Sequence, residues 1–358
     1  MSRIVGDATK LNRDLILPIG AAAMGLLLAL PALAHHSTAE YDNDVFSEAE
    51  GTVVDVLWRN PHVRLTISTE AFDGETEQWE LEGMGVMRLD RAGMPRDLID
   101  VGTTVRFAGN PSTRRSRHMY VTNVLMPDGQ EILLRTTAEP RWSENIVSID
   151  RQPIDPRPAT SDRPRGIFRV WVPSANEPPA WAADPPLTAS ARRARDAYDP
   201  VVDDPLLACT PPGMPRVISR SGGHPIRFIE REDDIVLQNE YFGLDRVIHM
   251  QPGIDLGDRE PTPLGHSAGR WENGALIVTT TGIDWPYFQL YGLEGVPQSP
   301  AMEIVERFTM TEAEDELSYD LTATDPAVFT RPVIAEGYVT FRWRPGLEFL
   351  PYECVIRR

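Results

Sequence analysis

From Glu50 onward, the apolar residues of this chain recur in short runs at every second position, divided by polar or glycine-rich turns, and no long stretch repeats at helical spacing. Alternation at period two marks a strand with one buried face. A chain written this way buries its apolar surface by closing or stacking sheets. The expected fold class is all-β: an N-terminal OB-like small barrel plus a C-terminal antiparallel β-barrel or sandwich, joined by a proline-rich connector.

The runs group into segments. Residues 1–34 read as a signal peptide: Arg3, Lys10 and Arg13 precede an apolar stretch from Leu15 to Leu33, and Ala32-Leu33-Ala34 fits a small-x-small cleavage site. A retained anchor is the alternative, against which Pro18 and Pro31 interrupt the stretch. Residues 35–135 read as the first β domain, with three strands between Glu50 and Glu82, a short helix near Gly85–Ala92, and further strands to Leu134. That order suits an OB-like barrel, with an open sheet carrying one helix as the alternative. Residues 136–215 hold 15 of the 32 prolines, a density that disfavours helix and central strand, and read as an extended connector. A short helix is expected between Leu187 and Tyr198, capped by Thr188 or Ser190. Residues 216–358 read as the second β domain, in which Asn273-Gly274 is a hairpin signal.

Charge narrows the function. The formal net charge is −18 over 358 residues, which argues against nucleic-acid binding and against docking on anionic lipid. Lys10 is the only lysine, so cleavage of the leader leaves no lysine for Schiff-base chemistry or a P-loop. The product is expected to be periplasmic or extracellular, with no stable membrane span after cleavage. The two cysteines, Cys209 and Cys354, are expected to form a disulfide in such a compartment, with two buried thiols as the alternative.

Four groups of residues invite a chemical reading. Gly265-His266-Ser267-Ala268-Gly269 matches the serine elbow of α/β-hydrolases in letters only. Pro261 and Pro263 precede it where a buried strand should lie, and His266 is the last histidine, so no downstream base completes a triad. A tight turn entering a strand is expected instead. Processing after Ala34 would expose His35-His36, whose nitrogens suit copper, with His62 and His118 as partners and Met84, Met87 and Met119 as soft donors. Acid–base chemistry would draw on Glu272, Glu303, Glu306, Asp325 or His249. An aromatic loop, Trp285, Tyr287, Phe288 and Tyr291, together with Trp271, is expected either to line a pocket for an apolar ligand or to plug the core.

Several motifs recur together. Ala34-His35-His36-Ser37, Tyr41-Asp42, Gly51-Thr52-Val53 and Trp58-x-Asn60-Pro61-His62 resemble a family of exported bacterial proteins of unassigned function. Cys209-x-Pro211-x-Gly213-Met214-Pro215, Gly265-His266-Ser267-x-Gly269-Arg270-Trp271-Glu272, Glu306-Arg307-Phe308, Asp325-Pro326 and Glu353-Cys354 are similar to a β-rich domain that accompanies it. The resemblance implies an OB-like first domain and a barrel-like second one. It implies no established substrate, cofactor or catalytic residue. The leading expectation is an exported binding protein whose partner is a small apolar molecule or another exported protein. Copper handling and an enzyme using the C-terminal carboxylates are the alternatives.

Overall fold

The computed structural model describes residues 40–70, 74–91, 94–135, 138–148, 166–176, 178–219, 223–290 and 293–354. The first barrel is built from β1 (Ser47–Leu57), β2 (Arg64–Glu70), β3 (Thr76–Glu82), β4 (Thr104–Pro111) and β5 (His118–Leu125), with α1 (Val86–Arg91) between β3 and β4. The sheet runs β3-β2-β1-β4-β5, and a parallel β3–β5 seam closes it. The seam sets Glu80 opposite His118 and Glu82 opposite Tyr120. β2 shows why the ring closes: Leu65 and Ile67 point inward while Arg64, Thr66 and Ser68 stay nearer the surface. The interior is filled by Val53, Phe107, Val121 and Met87, among others. Two short strands, β6 (Glu131–Leu133) and β7 (Ile146–Ser148), extend the sheet beyond β5.

The second barrel has nine strands and is also closed. They are β8 (Val170–Asn176), β9 (Ile226–Arg231), β10 (Asp234–Asn239), β11 (Leu244–His249), β12 (His266–Glu272), β13 (Ala275–Thr281), β14 (Glu303–Met310), β15 (Glu316–Thr324) and β16 (Val333–Trp343). Closure, rather than a sandwich, leaves no free edge for another chain to pair with. Full alternation along β15 puts Leu317, Tyr319, Leu321 and Ala323 inside.

The structure departs from the sequence reading in two places. The proline-rich segment does more than connect: β8 lies inside it and is the stave between β16 and β9. Its Pro173 pairs with Phe341 beside a register shift, the kind of irregularity at which a sheet tolerates a residue lacking N–H. The simple meander is also broken once, because β11 and β12 pair in parallel. The long, proline-bearing connection from Met250 to Gly265 allows that crossover. Elsewhere in the segment α2 (Ala189–Ala197) forms as expected, with the Thr188 hydroxyl accepting from the Ala191 amide.

Contacts near the chain's tail tie the barrels together. Cys209 and Cys354 form the expected disulfide. Beside it, Cys354 makes a backbone bridge to Asn60 of the first barrel. Arg91 of α1 reaches Glu240, the residue that follows β10. Among the described residues, no helix is long and apolar enough to cross a membrane.

Candidate functional site: a cleft between the barrels

A cavity of about 230 Å³ lies where the two barrels meet. The first barrel contributes Pro61, His62, Met84, Arg88 and Tyr120 to it, and the second contributes His224, Tyr241 and Phe242. Leu206 and Arg216, from the segment between β8 and β9, and the tail residues Tyr352 and Cys354 complete the lining.

Local structure explains each wall. His62 stands just before β2, where Val63 exchanges backbone hydrogen bonds with Gly83 and Met84. Its Nδ1 is 2.7 Å from the Gly83 carbonyl oxygen and 3.5 Å from Glu82 Oε1. A donated Nδ1–H leaves Nε2 as the acceptor. Glu82 is fully buried, accepts from the Tyr41 hydroxyl at 3.0 Å, and has no hydrogen bond to its Oε1 among the described residues. Burial, reinforced by the Glu82 charge, pushes the Tyr120 hydroxyl up to about 12, so it is a neutral donor at the cleft wall.

The opposite wall repeats the theme. His224 Nδ1 is 3.0 Å from Glu240 Oε1. Glu240 also accepts from Arg91 and, at 2.8 Å, from the Leu350 amide. Burial pushes the Glu240 carboxyl up, but the bonds from His224 and Arg91 outweigh it and hold it below the usual carboxylate range. The His224 ring stacks on Tyr241 at 5.2 Å and meets the edge of Tyr352 at 5.4 Å. Phe242 lies against Tyr352 at 4.5 Å. Phe242 has φ 62° and ψ 10°, a left-handed conformation that costs a bulky side chain energy. Such strain is kept where surrounding structure enforces it, commonly at ligand sites.

A larger cavity, about 500 Å³, lies on the first barrel between Asn43, Phe46, Asn110, Arg135 and Trp142. Its aromatic faces are already covered: Arg141 sits over Phe46 at 4.3 Å and Arg106 over Trp142 at 5.0 Å. Arg135 is engaged with Asn110 at 3.1 Å.

The residues singled out from sequence are scattered. His62 is in the cleft. His118 is not in the cleft lining; its Nδ1 is 3.3 Å from the Tyr41 hydroxyl and its Nε2 3.8 Å from Glu80. His35 and His36 lie outside the described residues, as does Tyr291. Among the described residues, no three His, Cys, Asp or Glu side chains are grouped to hold a metal ion. Met84 lines the cleft, whereas Met87 and Met119 are core.

Two residues of the aromatic loop, Trp285 and Phe288, pack into the core of the second barrel. Phe288 is fully buried, and Trp285 packs on Gly213, where a Cβ would collide with its ring. Gln298 Nε2 ties the loop down through the Met214, Trp285 and Tyr287 carbonyls. Tyr287 meets Tyr198 edge-on, and Trp271 is 49% exposed on β12 against Phe168. These aromatics do not converge on one pocket.

Nor do the candidate acid–base groups converge. Asp325 caps the Ser299 and Ala327 amides, Glu272 pairs with Arg270 on an exposed hairpin, and His249 pairs with Asp234. Glu303 begins β14 with its side chain exposed. Glu306 is inside the barrel, held by Arg246 together with the Tyr319 hydroxyl at 3.1 Å. Ser267, the serine of the hydrolase-like pentapeptide, accepts from Arg246 Nε at 2.8 Å on β12, as a strand residue.

Residues 25–120 match a family of unknown function, DUF6152. A stretch of 128 residues is 27% identical to the octanoyltransferases of Nitratidesulfovibrio vulgaris strains DP4 and Hildenborough, covering 34% of this chain. The chain spans 57% of the length of those curated relatives.

Proposed function

We propose that this is an exported binding protein whose small-molecule site is the cleft between its barrels. The observation that carries the reading is the cleft's lining: rings from both barrels and the tail, next to side-chain nitrogens backed by buried carboxylates. A concave site with apolar walls and a few placed polar groups is how proteins hold small molecules. The strained backbone at Phe242 and the fixed ring orientations of His62 and His224 argue for preorganisation, which lowers the entropic cost of binding. The packing of Trp285 and Phe288 moves the site away from the second barrel's own aromatic loop. Export to the periplasm is part of the proposal and accords with the disulfide.

The test is native mass spectrometry of the full chain taken from its exported fraction. The expected result is a mass beginning at His35, carrying an organic adduct that is lost from the Phe242→Ala variant. A bare wild-type chain, or an adduct retained by that variant, overturns the reading.

A further inference from the structure

We infer that the cleft selects a small aromatic monocarboxylate, its ring among Tyr241, Phe242 and Tyr352 and its carboxylate beside Arg88. The inference rests on the reading of the cleft as the binding site and adds the chemistry of the ligand.

The pairing of the arginines around the cleft points to an anionic group on the ligand. Arg91 is paired with Glu240, and Arg216 with both oxygens of Asp204 at 2.9 Å. Among the described residues, Arg88 has no such counterpart. Its side chain makes no hydrogen bond to any described residue, although it lines the cleft. It reaches across to the second barrel: a Cβ on Gly223 would stand 3.2–3.4 Å from the guanidinium. That places a planar cation, without a hydrogen-bonded carboxylate among the described residues, close to His224. Guanidinium and carboxylate match as planar, two-point partners. Arg216, which is buried and lines the same cleft, also keeps its Nε without an acceptor among the described residues. The electropositive point is local, in a chain of net charge −18, so it is not a diffuse basic surface.

Shape gives the rest. The rings of His224, Tyr241, Phe242 and Tyr352 meet at centroid separations of 4.5–5.4 Å, in stacked, tilted and edge-on pairs. A flat ring extends such a cluster better than a flexible chain, because ring quadrupoles favour these geometries and little rotamer freedom is lost. The volume, about 230 Å³, is below the roughly 300–1,000 Å³ of drug-sized pockets. One ring with a short acid arm fits that limit.

The test is calorimetric titration of the full mature chain with benzoate, benzyl alcohol and acetate as probes. Benzoate is expected to bind at least tenfold more tightly than either of the others. The Arg88→Gln variant, at an exposed position, is expected to keep its thermal midpoint and lose that preference. The Phe242→Ala variant is expected to lose binding of benzoate altogether. If benzyl alcohol binds as tightly as benzoate, or if Arg88→Gln leaves the preference intact, the monocarboxylate inference is overturned while the cleft can still be a binding site. If none of the three probes binds, the inference is overturned as well. The adduct in the native mass spectrum then separately decides whether the cleft binds anything.

Discussion

Arg246 and Glu306 form an ion pair inside the second barrel, with Arg246 4% exposed and Glu306 fully buried. The pair survives there because every charged atom has a partner. Ser267 and Thr280 accept from the guanidinium at 2.8 and 2.6 Å, and Tyr319 donates to the carboxylate. Removing one partner strands the other charge, at a cost of about 3–5 kcal/mol, whereas replacing both with apolar groups can be close to neutral. Glu306→Ala is therefore expected to lose several kcal/mol in urea denaturation, and Arg246→Met with Glu306→Leu far less. Equal losses would mean the network holds the barrel in a way that charge compensation does not describe. A second residue-scale prediction concerns acid. Burial pushes His224 below the usual histidine range, against the pull of Glu240. The unfolded chain then binds more protons than the folded one as pH falls from about 6.5, so folded stability declines through that window. Glu240 is held below its ordinary value, so its contribution, present above about pH 4.5, is lost at still lower pH. The thermal midpoint is expected to fall on acidification below neutrality, and the gap between wild type and His224→Gln to narrow. A gap that widens towards acid would reverse the assigned sign. Sequence made Ser267 legible as a turn-to-strand residue but not as Arg246's acceptor, because that contact depends on a parallel pairing no local pattern announces.

Strands were the most legible elements, since alternation needs only one buried face to be visible. The alternation of Glu316–Thr324, with Leu317, Tyr319, Leu321 and Ala323 inward, is visible in the sequence itself. β8 was not legible, for a physical reason. Proline density argues against a central strand, and the sequence does not show that Pro173 will sit beside a register shift. The apolar island Ile167–Val172 was the available signal, and it contains the residue that anchors the stave. Trp171 is fully buried, donates from Nε1 to the Ile167 carbonyl at 2.8 Å, and pairs with Trp343 on one side and Ile226 on the other. Trp171→Ala removes a large core side chain at the seam between β16 and β9, for which about 3–5 kcal/mol is expected. The loss should appear as faster amide exchange in β8, β9 and β16 than in β13 and β14. Uniform acceleration across the barrel would mean the seam opens only with the whole.

At the scale of the whole molecule, the cleft was not legible. Its lining comes from both barrels, the intervening segment and the tail, and of those residues only His62, Met84 and Cys354 carried a chemical signal on their own. The cysteines were the one long-range hint, and they define the last prediction. The disulfide closes a loop with a sequence separation of 145 residues. By the chain-entropy argument such a closure stabilises by roughly 5 kcal/mol through the unfolded chain alone. A cross-link acting only there would leave the folded site unchanged when cut. Here it also holds a wall of the cleft: Tyr352 and Cys354 line it, and near them the tail has the Asn60 bridge and the hydrogen bond from Leu350 to Glu240. One backbone bridge and one amide-to-carboxylate hydrogen bond are a weak substitute for a covalent tie against fraying at a chain end. Cys209→Ser with Cys354→Ser is therefore expected to lower stability in urea and also to weaken benzoate binding at 25 °C, where the barrels stay folded. Loss of stability with unchanged affinity would place the disulfide's whole effect in the unfolded chain and leave the Tyr352 wall standing on its ring contacts with Phe242, Tyr241 and His224.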